Sequence, residues 1–189
     1  MEENSPQKGP ETPPRSNLVQ GNSEPNQVVV NSGSSLDPKG ESLVLLLNEK
    51  LTSFNVEVGS SLDEPTLRVD PQQLVEIGNI LLKDLSLGFD YLRCLSVVDF
   101  EEFFEVVYHL WSMENRFKLT VKCTTPYDDP KVPSVMSIWK AADWFEREGR
   151  DLFGVIFQGR QDLDPLLLWE GYDGFPGRKS SPFNEYEEW

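Results

Sequence analysis

The run Trp144-Phe-Glu-Arg-Glu-Gly-Arg-Asp-Leu-Phe-Gly154 constrains this chain more than any other segment. It sets charges of alternating sign (Glu146, Arg147, Glu148, Arg150, Asp151) into one candidate helix and ends that helix on an aromatic and a glycine. Ile138, Ala141, Ala142, Phe145, Leu152 and Phe153 recur at roughly helical spacing, which predicts an amphipathic helix over 137–153 with one buried face. Glu146 and Arg150 are four residues apart, as are Arg147 and Asp151, so each pair can add about 0.2–0.5 kcal/mol on the remaining face. On pattern alone such charges form a solvated face laced with weak ion pairs. Gly149 works against the helix by about 1 kcal/mol relative to alanine, so the helix must lean on tertiary packing. Gly154 fits the position just past a helix end, where a left-handed backbone suits glycine.

Upstream, residues 1–40 are rich in Pro, Ser, Asn, Gly and Glu, with Val28-Val29-Val30 as their only apolar run. Such a segment cannot bury enough surface to offset its ordering entropy, so it is expected to be disordered. Residues 41–54 carry leucines on a helical pattern, and short strands follow at 55–59 and 66–70 around a hairpin turn. Asp70-Pro71 opens a second helix, with a capping carboxylate and proline at the first position, and Gly88 ends it. Three strands rich in Val, Phe, Tyr and Leu follow at about 90–98, 103–112 and 116–124, with Asn115 in the last turn. The order predicts an α+β domain over 41–168, with helices packed on a mainly antiparallel sheet. Residues 169–189 are expected to form an extended tail.

The 17 basic and 32 acidic residues give a net charge of −15, which argues against nucleic-acid binding, since phosphate contacts need a basic stripe. Solubility and a basic partner surface each account for this charge. No apolar run reaches the roughly 18 residues of a membrane span, and the chain start lacks signal-peptide features, so membrane attachment is expected through partners. Cys94 and Cys123 read as small buried hydrophobes, and two thiols are too few for an iron–sulfur cluster. The sole histidine, His109, lies on a strand and reads as structural or as a partner contact, not as a zinc ligand. Gly154-Val-Ile-Phe-Gln-Gly159 lacks the lysine of a phosphate loop and the spacing of a dinucleotide fingerprint. No catalytic constellation emerges, and neither a metal nor a cofactor is expected on this chain.

The charged segment, with Pro133-Ser134-Val135 and Trp139-Lys-Ala-Ala-Asp-Trp144 before it, resembles the signature of the 30 kDa, or C, subunit of NADH-quinone oxidoreductase, respiratory complex I. Glu146, Arg147, Glu148, Asp151, Leu152, Phe153 and Gly154 all match that signature. Tyr91 to Asp99, Phe104 to Leu110 and Asp129-Pro130 extend the likeness, which covers about residues 88–179. Two positions depart: Arg160 stands where the family usually has histidine, and Asp164 where a basic residue is typical. The later basic pair survives as Arg178-Lys179.

The resemblance implies a cofactor-free subunit of the peripheral arm, lying on the cytoplasmic side of the cell membrane beside the large subunit with the quinone site. NAD, FMN, iron–sulfur clusters and quinone would belong to other parts of the assembly, which couples electron transfer from NADH to proton translocation. Glu146, Arg147, Glu148, Asp151, Leu152, Phe153, Gly154, Arg178 and Lys179 are then expected at subunit interfaces. The homologous subunit of a membrane-bound hydrogenase, or of a ferredoxin- or deazaflavin-dependent variant, is the alternative.

In the tail, Trp169, Tyr172 and Phe175 recur every three residues, and Phe183, Tyr186 and Trp189 do so again. Gly171, Gly174, Pro176, Gly177 and Pro182 exclude a helix, so the tail, with these aromatics and Arg178, is expected to lie extended on the neighbouring large subunit, folding back over the domain's own core being the alternative.

Overall fold

The computed structural model describes residues 36–160 and 164–182, so nearly all of the segment expected to be disordered lies outside the described residues. Asp37 accepts a hydrogen bond from Gly40 N and Pro38 takes the first helical position, so α1 runs Pro38–Lys50, starting earlier than leucine spacing alone indicates. The hairpin follows as β1 (Glu57–Ser61) and β2 (Glu64–Val69), turning at Leu62 with φ 56°. Asp70 caps as expected, accepting from Gln72 N, but the first turn is 3₁₀ and α2 spans Leu74–Lys83. Gly88 does not end α2; it closes the turn that follows, donating to Asp84 O.

β3 (Tyr91–Asp99), β4 (Phe103–Trp111) and β5 (Lys118–Pro126) form an antiparallel meander. Asn115 pins its second turn by donating to the carbonyls of Leu85 and Leu87. The five strands lie in the order β1-β2-β5-β4-β3, antiparallel except for the β2–β5 pair. A parallel pair needs a long crossover, which α2, β3 and β4 supply here. Alternation along the strands sends Leu67, Val97, Phe104, Val106 and Val121 to one face. There they join Leu43 and Leu47 of α1, Ile77 and Leu81 of α2, and Trp139 and Ala142 in one core. Helices on a mainly antiparallel sheet are the expected α+β arrangement.

β6 (Lys131–Pro133) and β7 (Ile156–Gln158) form a separate two-stranded parallel sheet with α3 (Ala142–Phe153) as its crossover. Helical spacing predicted this helix from 137, but residues 135–141 turn instead, with Ile138 N and Trp139 N both donating to Val135 O. Ser134 N is still bonded to Gln158 O beside β7, and the chain must reverse before it can run as a helix.

Cys123 is buried in the core, and burial, with a smaller effect of Asp70, pushes its thiol up to about 12. Cys94 is half-buried, and neither cysteine is in a disulfide.

Gly149 lets α3 approach β3. A methyl at this position would lie 3.0 Å from Val97 Cγ2 and 3.3 Å from Phe157 Cε2. Gly149→Leu should therefore destabilise the fold by about 1–3 kcal/mol despite leucine's better helix propensity. A denaturant midpoint equal to or above wild type would show that α3 does not pack there.

Candidate functional site

The charges of α3 divide between an inward and an outward set. Ala142, Glu146, Gly149 and Phe153 are separated by four, three and four residues, so Glu146 falls on the stripe that faces the domain. Its side chain is only 1% exposed. Glu146 Oε1 accepts from Val135 N at 2.8 Å, and Oε2 accepts from Ser134 Oγ at 2.7 Å and Arg160 Nη1 at 2.9 Å. Arg160 also donates to the backbone carbonyl and the carboxylate of Asp143. A carboxylate so buried is tolerable only when its charge is matched and its lone pairs are used, and this site meets both demands.

Asp151, 8% exposed, is the second inward acid. One oxygen accepts from Leu166 N at 2.6 Å and Leu167 N at 2.8 Å, which holds the 164–168 loop along the helix. The expected Arg147–Asp151 pair does not form. Arg147 instead donates to Asp164 O at 3.1 Å and lies 5.4 Å from the centroid of the Trp144 ring. Trp144 is 60% exposed, Glu148 is exposed, and Leu167 and Trp169 stand exposed on the loop that Asp151 holds. Charge alternation concealed this division; the phase of Glu146 with Ala142 and Gly149 was the signal that could have exposed it.

Residues 67–187 match the family described as respiratory-chain NADH dehydrogenase, 30 kDa subunit. The chain belongs to this family. It is 40% identical over 123 residues to the NADH-quinone oxidoreductase C 2 subunit of Rhizobium meliloti, covering 64% of this chain and 67% of that one. It is 37% identical over 160 residues to the NADH-quinone oxidoreductase C subunit of Burkholderia thailandensis, covering 79% and 80%. Among solved structures, a trypsin-resistant fragment of Nqo5 superposes with a TM-score of 0.56 at 26% identity, covering 64% of this chain and 98% of the fragment. The membrane-bound sulfane sulfur reductase, an archaeal respiratory membrane complex, contains a chain with a TM-score of 0.64 at 26% identity, covering 75% and 84%.

Within this 30 kDa subunit fold, Arg160 gains a physical account. Its planar, permanently charged fork serves Asp143 and Glu146 together, whereas a histidine offers one donor per ring nitrogen and titrates near neutrality. Asp164 contributes its backbone carbonyl to Arg147 while the residue itself stays exposed.

The C-terminal end of α3 receives the chain's own tail. Gly154 takes a left-handed φ of +75°, and a methyl there would lie 2.6 Å from Phe175 Cζ and 2.8 Å from Arg178 Nη2. Gly177 N donates to Leu152 O at 2.9 Å and Arg178 Nε to Phe153 O at 2.7 Å. The Arg178 guanidinium lies over Phe104, Tyr127 and Phe175 at 5.2, 5.1 and 4.5 Å from their centroids. Lys179 N donates to Asp99 Oδ2 at 2.9 Å. Residues 175–181 thus fold back on their own domain, the alternative to the expected extended lie on a neighbouring subunit. Trp169 and Tyr172 pack edge to face at 4.7 Å, while Phe183, Tyr186 and Trp189 lie outside the described residues.

No cluster of three or more metal-binding side chains occurs among the described residues. Tyr108 is buried with its hydroxyl unpartnered among them, and burial, followed by Cys123 and Glu146, raises its pKa well above the ordinary range. His109 Nδ1 lies 3.2 Å from Thr120 Oγ1 on the sheet face away from the helices.

Glu146→Ala would leave Arg160, whose side chain is 7% exposed, without its buried partner. The expected loss is about 3–5 kcal/mol of folding stability, read by denaturant unfolding of the free protein. A loss below about 1 kcal/mol, the range of a surface pair, would contradict the buried assignment.

Proposed function

We propose that this chain is a cofactor-free subunit of the peripheral arm of a complex I-type NADH:quinone oxidoreductase. In this reading it packs beside the large subunit with the quinone site and supports electron transfer from NADH through iron–sulfur clusters in other subunits, coupled to proton translocation. The observation that carries the reading is the outward side of α3. Trp144 and Glu148 of α3, with Leu167 and Trp169 of the segment that follows β7, form a surface of exposed aromatic, apolar and charged residues around the half-buried Arg147, while Glu146 and Asp151 are engaged inside. Aromatics and arginine are the residue types most enriched at binding hot spots. Leu152, Phe153, Gly154, Arg178 and Lys179 then shape this interface at its rear by fixing the end of the helix and the tail. No helix among the described residues is long and apolar enough to cross a membrane. Attachment to the cytoplasmic side of the cell membrane comes through partner subunits.

The likeness to a chain of the archaeal sulfane sulfur reductase complex favours a second reading, in which the chain serves a membrane-bound relative that takes electrons from another donor. Affinity purification of the tagged chain from gently solubilised membranes separates the two. A copurifying NADH-binding flavoprotein supports the first reading, and a nickel-ligating large subunit supports the hydrogenase-type alternative.

The double variant Trp144→Ala/Leu167→Ala should keep the free protein's stability within about 0.5 kcal/mol, because both side chains are exposed. Its incorporation into the complex should fall by about ten-fold or more if Trp144 is a hot spot. Normal incorporation would refute the α3 interface.

A further inference from the structure

The three helices occupy one face of the five-stranded sheet and leave the other open, with Tyr91, Arg93, Ser96 and Val98 of β3 and Arg68 and Thr124 of β2 and β5 exposed upon it. Register places Arg68 beside Lys122, and both reach Glu105 on β4, at 3.1 and 3.0 Å. Lys118 and Arg93 converge likewise on Glu64, at 3.9 and 3.6 Å, with Arg93 stretching across β4 and β5 to do so. The carboxylates form the floor and the cations the rim: the Glu105 side chain is 5% exposed, that of Arg68 52%. Each of these two carboxylates serves two cations. Glu57 stands opposite Arg68 on the edge strand with no ion pair among the described residues. Counting it, and Asp70 beside it, four cations (Arg68, Arg93, Lys118, Lys122) meet four carboxylates (Glu57, Glu64, Asp70, Glu105), so the face is neutral in a chain whose net charge is −15.

The other half of the same face is apolar. Tyr91 lies opposite Trp111 in register, Val98 is exposed, and Phe100 stacks on Phe103 at 4.9 Å at the hairpin tip. Exposed aromatics beside arginines are the composition of a protein interface core. A phosphate polymer fits poorly, because carboxylates share the surface and the chain as a whole repels it.

We propose that this open sheet face is a second docking surface, separate from α3, for a partner protein of the same complex. The partner would lay an apolar strip on Tyr91, Val98 and Trp111 and meet the cations of the rim with carboxylates of its own. The inference rests on the subunit reading above.

The test uses the assembled complex. Carbodiimide, which joins amines to carboxylates without a spacer, should link Lys118 or Lys122 to an Asp or Glu of another subunit, identified by peptide mass mapping. Incorporation of Arg68→Glu/Lys122→Glu should fall by about ten-fold or more, and Arg68→Lys should behave as wild type. Tyr91→Ala/Val98→Ala trims the apolar half without placing a charge beside Glu105, the register partner of Val98; it should assemble poorly while the free chain stays folded. It decides the matter if the charge-reversed chain fails to fold. Intrachain links alone, with every variant incorporated at the wild-type level, would overturn this proposal while leaving the α3 interface standing. Absence of the wild-type chain from any complex would overturn the subunit reading, and this proposal with it.

Discussion

The buried carboxylate of Glu146 is the interaction on which the arrangement around α3 depends. One side chain gathers the hydroxyl of Ser134, the amide of Val135 and the guanidinium of Arg160, and so ties together the exit from β6, the helix and the chain beyond β7. A short helix containing glycine has little stability of its own. Here the helix is placed by what its inward acids hold, with Asp151 fixing the next loop through two backbone amides. The planar guanidinium of Arg160 meets Glu146 and the carbonyl and carboxylate of Asp143 at once.

That internal anchoring leaves the opposite side of the helix exposed. Trp144 and Glu148 face outward because Ala142, Glu146 and Gly149 face inward, and Arg147 lies against the Trp144 ring while joining the helix to the 164–168 loop through the carbonyl of Asp164. At the far end, Gly154 serves two purposes. Its left-handed backbone closes the helix, and its bare Cα admits Phe175 and Arg178, which seat the tail against Phe104 and Tyr127. Any side chain there would disturb the helix end and the tail together.

Much of this fold is legible in the sequence, because strands such as Tyr91–Asp99 alternate and helices such as Leu74–Lys83 repeat their leucines and isoleucines with helical period. The parallel pairing of β2 with β5 is not, since alternation shows which face a residue takes but not which strand lies alongside. The charged segment was legible as the important one, and its family followed from it. Its division was not: the donors to Asp151 come from residues 166 and 167 and the cation for Glu146 from residue 160, contacts that spacing within a helix cannot show. Arg178 stood out among aromatics, yet nothing local indicated that its rings would come from β4, from Tyr127 and from its own tail.

The inward acids of α3 hold the fold together, and on the proposed reading its outward residues serve assembly. Amide hydrogen exchange on the free protein and on the same protein within its complex tests this division most directly. The amides of Val135, Leu166 and the α3 backbone should already be protected in the free protein, and assembly should add protection mainly over residues 164–170. Rapid exchange of Val135 and α3 in the free protein, with protection gained only in the complex, would assign Glu146 and Asp151 to assembly and contradict it.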